Sequence, residues 1–522
     1  MCRNQSDPQP PTDPSLESGF EIGLRSPEPE EDSASGAPLL DIQNIKLGLV
    51  ICGLGIVGGV MLFISSLFIL FEVTWWLQLC AMVPLLWIIF SKQPTWHVSV
   101  LAGGLFGMVY ITLTLWIAPE ESNPAGPLWI YEGLLWALFF TAAGQCAALP
   151  PLRRIAAIAG AAVLLGWLDM TLMPAWGSAQ LFVRPMTAVP FVMQICAWAG
   201  PLGVVFVVTA FNVALALLLT DIMYWKQALG TIAGILLVLG ISAIPAGLAQ
   251  PTDTITASAI SWRVSYAKPA TKKRTEDMLE KVRSYLIAPM IQMNADLIVF
   301  RGGGFRLTKE TRELVQTRLL EIGQRHGVYL AVGYRDEATQ KNGLLFINPE
   351  GEIFDTDGNA PLLQGLHVSR NDDGTVHMYL LESPPEGSYS NASQLARILR
   401  RNGANLVISS IPGNREAGLF HYEHGKYITV ENRMAFILAS DIGYNTIVDA
   451  RGVVQEKHMM RTFDQAMYIL EHLPLYNMGA PYRHIGNWPA LLAFFIFGIW
   501  GLRTVLVRRH RPTPTSPADP RR

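Results

Sequence analysis

Few stretches of this 522-residue chain offer a nucleophile, a base or a charge placed to do chemistry. The first to weigh is ADLIVFRGGGF, residues 295–305, where an aliphatic run reads as a short buried strand broken by glycines at its carboxyl end. Layered α/β folds carry their catalytic groups at such strand ends. This one presents Arg301, Gly302, Gly303 and Gly304. The glycines fit a tight turn with backbone freedom; no G-x-x-x-x-G-K pattern follows that would make them a phosphate cradle. In VHMYLLES (376–383), Glu382 stands beside Ser383. A serine hydroxyl accepts an acyl group only when a base activates it, and none is in view, so Ser383 is expected as a solvated residue ahead of Pro384 and Pro385. His421 and His424 in HYEH lie three apart without a third ligand, a spacing that fits a polar surface better than a metal. Glu431, just before a strand, is expected as a structural or orienting carboxylate. Inside apolar runs stand Glu132 and Asp169, and an ionisable residue within a membrane is a functional hypothesis by default. Glu132 is close enough to the end of its run for hydration alone to account for it.

The thiols narrow the chemistry further. The cysteines are Cys2, Cys52, Cys80, Cys146 and Cys196, and none follows Cys196. The C-terminal half therefore has no thiol nucleophile, no disulfide framework and no cysteine zinc site. Four of the five fall in apolar segments and are expected as small buried hydrophobes.

Composition says what surrounds these residues. Hydrophobic residues make up 50% of the chain and charged ones only 16%, with a mean hydropathy of +0.27, which places part of it in a membrane. A formal net charge of -2 gives no basic face of the size a nucleic acid requires. Residues 1–44, rich in Pro, Ser, Glu and Asp, read as a disordered cytoplasmic tail without the pattern of a secretory signal. Residues 45–249 carry seven apolar runs of spanning length, near 45–71, 74–91, 97–118, 128–148, 154–174, 190–220 and 227–248. An eighth, 488–507, precedes a basic cytoplasmic tail at 508–522. Lys92, Arg153, Arg154 and Lys226 fall in alternate loops, whereas APEESNPAG (118–126) has no Lys or Arg. Both termini are thus expected in the cytoplasm and the soluble segment 250–487 outside, with Arg184 as an exception in an outer loop.

In that soluble segment, strands and helices alternate. Strands are expected at 257–267, ADLIVF, GVYLAVGYR, VHMYLLE, ANLVISS and AFILAS, helices at 272–293, 308–325, 390–402 and near 424–434, and hairpins at GLLFINPEGEIFD and NTIVDARGVVQEK. The fold class is a membrane α-helical bundle followed by an α/β layered sandwich.

The order of these pieces resembles the apolipoprotein N-acyltransferases, in which a polytopic membrane domain precedes a nitrilase-like (carbon-nitrogen hydrolase) domain and a last transmembrane helix. The likeness covers about residues 45–507. It is carried by the stretch 173–216, beginning MPAWGSAQLFVRPMTAVPF, and by ADLIVF, NGLLFINPEGEIF, RRNGANLVISS, IGYNTIVDARG (442–452) and IGNWP (485–489). The resemblance implies a nitrilase-like α-β-β-α sandwich in a bacterial inner membrane protein, no cofactor, and membrane phospholipid and lipoprotein as partners. It also implies a reaction: an acyl chain passes from phospholipid to a cysteine thiolate and then to the α-amine of a lipoprotein. A glutamate serves as base, a lysine holds the oxyanion and the cysteine forms the thioester.

Carried over position by position, none of the three is present. The family's base follows a proline at the end of the ADLIVF-like strand, where this chain has Arg301 and Gly302. Its lysine opens a run that here reads GNAPLLQGL (358–366), with Gly358 at the lysine and Leu366 at a further glutamate. Its cysteine falls on Leu380, followed by Leu381 and by Glu382, the one retained carboxylate. His421 and Glu431 match family positions; PGNREAG (412–418) replaces a usual Trp-Phe-Gly loop. A shift of one or two residues restores nothing, since Glu310 and Lys341 are the nearest carboxylate and lysine. The expected protein is a pseudoenzyme that binds or scaffolds lipid, lipoprotein or another membrane protein. The alternative is an active acyltransferase using displaced residues such as Ser383 or Glu382. A transporter is a third reading, for which Glu132 and Asp169 alone make no evident ion path.

Overall fold

The computed structural model describes residues 42–496 apart from 68–70, 118–124, 173–180, 263–270, 341, 356–365, 371–373, 383–388, 402, 412–414, 441–442, 461–466, 489 and 494. The apolar half forms α1 (Ile42–Ser65), α2 (Phe71–Thr74), α3 (Val83–Lys92), α4 (Trp96–Ile117), α5 (Ala125–Cys146), α6 (Pro151–Leu172), α7 (Pro190–Met193), α8 (Cys196–Thr220) and α9 (Trp225–Leu248). Among the described residues six stretches are long and apolar enough to cross a membrane: Ile45–Ser65, Glu72–Lys92, Trp96–Thr114, Pro151–Leu172, Cys196–Thr220 and Ile222–Leu248. That is one fewer than the seven expected before residue 249. The run at 128–148 does form α5, but its polar side chains, Glu132 and Gln145 among them, keep it out of this set. The closing span expected at 488–507 lies mostly outside the described residues.

Helices without water between them need close backbones to gain dispersion energy. A Cβ on Gly107 of α4 would sit 2.6 Å from the carbonyl oxygen of Glu132 in α5, so only glycine allows this approach. Trp136 stacks with Phe106 and Phe140 just above it, with ring centroids 4.6 and 6.1 Å away. In α8, Pro201 lacks a donor, and the helix kinks at Gly200.

The soluble half is a four-layer sandwich. One sheet has the order β12-β1-β2-β3-β4-β5 and the other β11-β10-β9-β8-β7-β6. The first sheet is built from β1 (Asp253–Ser261), β2 (Leu297–Leu307), β3 (Tyr329–Asp336), β4 (Asn342–Ile347), β5 (Ile353–Asp355) and β12 (Met467–Leu475). The second holds β6 (Leu366–Arg370), β7 (Gly374–Glu382), β8 (Leu406–Ile411), β9 (Ala435–Ser440), β10 (Gly443–Val448) and β11 (Val454–Met460). Parallel trios β1-β2-β3 and β7-β8-β9 form the two centres. Of these, β1, β2, β3, β8 and β9 are buried on both faces, as central parallel strands are. Leu297 and Val299 meet Leu406, Ile408 and Ile437 of the other sheet, while Ile298 and Phe300 turn to the outer helices. Those helices are α10 (Lys272–Val282), α11 (Ala288–Gln292) and α12 (Lys309–His326) on the first sheet, and α13 (Tyr389–Arg401) and α14 (Arg415–Asn432) on the second. The short α15 (Tyr482–Ile485) follows β12.

Local chemistry explains the boundaries. Thr308 caps α12 through a reciprocal bond with Thr311, and Gly327 ends it in the left-handed region. The helix expected at 272–293 takes one π turn at Arg283–Ile287, just ahead of Pro289. α14 begins at Arg415 rather than near 424, inside a Gly- and Pro-bearing run that sequence alone reads as loop. The edge strands β6 and β12 were not expected; an edge strand has one partner, and β12 shows little alternation of burial.

Replacing Gly107 by Ala should push α4 from α5 and destabilise the bundle by about 1–3 kcal/mol. The same change at Gly104, where a new Cβ would have the Gly133 carbonyl oxygen as its nearest neighbour at 3.8 Å, should be tolerated. Thermal unfolding midpoints of the two variants in detergent check the contrast; equal losses would contradict the packing described.

Candidate functional site

The strand expected to stop at Phe300 instead continues. Phe300 pairs with Val332 and Phe305 with Tyr334, so the four residues Arg301 to Gly304 stand opposite the single Gly333 of β3. The glycines are thus a wide bulge within β2 and not a terminating turn. Two features hold the strand together beyond it. Phe305 is fully buried, with its ring centroid 5.0 Å from that of Trp262, and Gly303 takes φ +64°, open to glycine. A Cβ on Gly333 would fall 2.5 Å from both the Arg301 carbonyl oxygen and Gly302 Cα. Arg301 itself is fully buried.

The opposite sheet meets the bulge from across the sandwich. Ser410 Oγ at the end of β8 donates to the Phe300 carbonyl at 2.7 Å, and β7 runs beside β8 with Leu380 opposite Ile408 and Glu382 opposite Ser410. The strand ends bearing Gly302 and Leu380 therefore converge across Ser410, by backbone register. Gly358 and Ser383 lie outside the described residues. Next to this place, Ser261 Oγ donates to the Ser440 carbonyl and Asn445 Oδ1 accepts from Ser440 N at 2.9 Å. Sequence reasoning missed these serines and Asn445; small polar residues at three strand ends were the available signal. Ser410 gives its single proton to a main-chain carbonyl, and that of Ser261 is shared between the Ser440 carbonyl and Asn445 Oδ1, the latter at 2.7 Å. They fasten sheet to sheet.

The other singled-out residues separate by environment. His421 lies on α14, and His424, one turn on, is buried. Among the described residues no group of three or more His, Cys, Asp or Glu could hold a metal ion. Glu431 is buried and accepts from Ser393 Oγ at 2.7 Å. Burial pushes its carboxyl up to about 7, with the Ser393 bond and the Arg397 charge opposing. Glu132 and Asp169 are buried and line one cavity among the membrane helices.

A second polar centre, absent from the sequence reading, ties the two halves. Segment 181–195, between α6 and α8, lies against α14 and the β10–β11 turn. Arg184 Nε is 3.6 Å from Glu423 Oε2, both nearly inaccessible. Lys426 Nζ donates to the Thr187 carbonyl, Tyr427 Oη to the Val183 carbonyl at 3.3 Å and Arg433 Nη1 to Gln194 Oε1 at 2.7 Å. Gln194 Nε2 in turn donates to the Arg451 carbonyl at 2.8 Å. Arg451 belongs to the DARG turn, where Asp449 accepts from the amides of Arg451 and Val453 at 2.9 and 3.0 Å. Burial pushes Glu423 up to about 8, against the pull of Arg184 and Lys426, and pushes Lys426 down to about 8, against Glu423. Arg184, the exception in the charge count, is accounted for by Glu423.

Six membrane-length apolar helices and two facing mixed sheets with helices outside define the class: a membrane protein carrying an α-β-β-α sandwich. No protein-family model matches the chain, and no curated protein matches it. Solved structures similar to it include Saccharomyces cerevisiae Nit3, a member of branch 10 of the nitrilase superfamily, at 14% identity. That likeness covers 42% of this chain and 90% of that one, with a TM-score of 0.32. The amidase from Nesterenkonia sp. AN1 in complex with butyramide is also 14% identical, over 46% of this chain and 96% of that one, with a TM-score of 0.34.

The buried acids make stability pH-dependent. Glu431 and Glu423 have folded values above the ordinary 4.5, so the fold binds their protons more tightly than the unfolded chain does. Their contribution is complete below about 4.5 and is lost as pH rises through about 7 and 8. Lys426, depressed from 10.5, acts oppositely, and stability recovers between about 8 and 10.5. Thermal midpoints should therefore fall from pH 5 to 8, and the fall should shrink in Glu423→Gln and Glu431→Gln; an unchanged slope in both would refute this.

Proposed function

We propose that the chain is an apolipoprotein N-acyltransferase-like membrane protein that has given up catalysis, and that it binds or scaffolds lipid, lipoprotein or another membrane protein. The observation that carries this reading is the content of the strand ends that meet at Ser410. Gly302 sits in a glycine bulge under Gly333, Leu380 occupies β7, and no cysteine follows residue 196. Acyl transfer through a thioester needs a thiolate, a base to form it and a donor for the oxyanion. Glycine and leucine side chains supply none of these, and losing one member of such a unit costs orders of magnitude in rate.

The same reading places the protein in a bacterial inner membrane, with both termini cytoplasmic and the sandwich on the extracytoplasmic side. It is supported by the alternation of Lys and Arg between loops. It is also supported by the contacts of segment 181–195 with α14, since the reading assigns that loop and the sandwich to the same side. With the sandwich and the apolar helices both kept, capture of a lipid or lipoprotein needs no turnover.

The test is expression of the full chain in bacterial cells depleted of their own N-acyltransferase, with mass spectrometry of lipoprotein N-termini. Only diacylated N-termini are expected, as in cells with empty vector, from both wild type and Ser383→Ala. Triacylated N-termini above the vector control would overturn the reading, and their loss in Ser383→Ala would identify the displaced nucleophile.

A further inference from the structure

Charge is one-sided at the corner where α13 meets α15. Neither α13 nor the chain from Leu473 to Ala493 contains an Asp or Glu, while Arg397, Arg400, Arg401, Arg483 and His484 all fall there. The fold draws these groups together. Arg400 Nη2 donates to the Met478 carbonyl and Arg401 Nη2 to the Arg483 carbonyl, each at 2.7 Å. Arg397 lies over the Tyr482 ring, 5.5 Å from its centroid, and a Cβ on Gly486 would fall 2.6 Å from its Nη1. Three side chains of one helix thus lie along a single strap of chain, residues 478–486, which adds Arg483 and His484 of its own.

Opposite charge is scarce at this corner. Glu431 comes within electrostatic reach of Arg397, but it is buried and accepts from Ser393 Oγ. Among the described residues none of the four arginines stands in an ion pair. Their bonds go to neutral groups, including the His484 ring, which accepts from Arg483 Nε at 2.8 Å. Arg397 Nε and Arg400 Nε are shut from solvent and have no hydrogen-bond partner among the described residues. Burial, with the Arg483 charge adding to it, pushes the Arg400 guanidinium down to about 10. At neutral pH all four guanidinium groups are therefore charged, and they repel one another.

The surroundings say which anion fits. α15 packs on the membrane helix α8, where a Cβ on Gly200, four residues from the start of the helix, would fall 2.4 Å from the Tyr482 ring. The corner thus stands at the level where a helix of membrane length begins. Directly after it Ile485, Trp488, Leu491 and Leu492 are exposed, the pattern of a chain entering an apolar layer behind an interfacial tryptophan. Guanidinium forks match phosphate oxygens, and basic pockets beside membrane helices suit anionic head groups. A free phosphate would use the arginines alone; a phospholipid uses the apolar side chains as well.

We propose that the corner of α13 and α15 holds the phosphate of an anionic membrane phospholipid between Arg397, Arg401 and Arg483, with its chains along Trp488 and Leu491. The lipid would fasten the sandwich to the bilayer surface. The corner lies at the amino end of β8, where Arg400 Nη1 donates to the Ala404 carbonyl at 2.6 Å, and Ser410 is at the other end of that strand. The site therefore stands whether or not the chain transfers acyl groups.

Native mass spectrometry of the full chain in maltoside micelles tests it, by titration with dioleoyl phosphatidylglycerol or with dioleoylglycerol, which has the same chains and no phosphate. The first phosphatidylglycerol should bind at least about tenfold tighter than dioleoylglycerol, and inorganic phosphate at the same concentration should not displace it. That margin should vanish in the triple variant Arg397→Gln, Arg401→Gln and Arg483→Gln. It should persist in Lys273→Gln, Lys309→Gln and Arg325→Gln, which remove as much charge from α10 and α12. No margin in the wild type overturns the proposal whatever the variants do, and so does a margin that survives the first triple or vanishes in both. Should the first triple not fold, Arg401→Gln alone, at an exposed side chain, should narrow the margin severalfold, and an unchanged margin overturns the proposal. Displacement by inorganic phosphate as effective as by the lipid would assign the corner to a free anion and overturn the lipid assignment.

Discussion

Everything in this molecule depends on the buried charge at the joint, where Arg184 meets Glu423 and Lys426 meets the Thr187 carbonyl. Ions removed from water cost several kcal/mol each unless their neighbours replace the lost hydration. Segment 181–195 provides those neighbours on both of its sides. It gives Val183 and Thr187 carbonyls and Gln194 to the sandwich. To the bundle it gives the Phe182 carbonyl, which accepts from Gln78 Nε2, and the Arg184 guanidinium, 3.4 Å from the Ser66 carbonyl. A joint of this kind is costly to open, because separating the halves would take Glu423 from Arg184 and Lys426 from the Thr187 carbonyl. It fixes the sandwich on the bundle.

With the sandwich so fixed, its strand ends can differ in side chain without loss of fold. A catalytic base and nucleophile have to be held in a desolvated place against their own preference. Here that place is filled by backbone. The β2 bulge lies beneath Gly333, and Ser410 and Ser261 bridge the sheets through main-chain carbonyls. Such contacts stabilise a layered sandwich and do no chemistry. In the proposed reading, the strand-end geometry that would position a reaction is used as packing.

How far the sequence displays this structure depends on how local the cause is. Central strands such as ADLIVF and AFILAS show themselves because both faces are buried, and α12 because its cap and its terminal Gly327 sit in sequence order. The hairpin after GLLFI is set by Asn348 and by Gly351 at φ +98°. The continuation of β2 through three glycines was hidden, since its cause is Phe305 meeting Trp262 more than forty residues earlier. Edge strand β12 was hidden for a similar reason: its one partner, β1, lies more than 200 residues away. At the site, the missing thiol was plain from the letters alone. The joint was not, because Arg184 and Glu423 are joined only by the fold.

The joint and the membrane cavity are also neighbours. Leu181 and Phe182 wall the cavity, and two residues on Arg184 engages Glu423. Phe182 stacks edge-on against Trp136, with centroids 5.3 Å apart, so one short segment carries the aromatic wall on one side and the ion pair on the other. A packed interior has few intermediate arrangements. One short segment thus packs against the membrane helices at Phe182 and against α14 at Arg184, so the seating of the sandwich and the packing of the bundle rest on the same few residues.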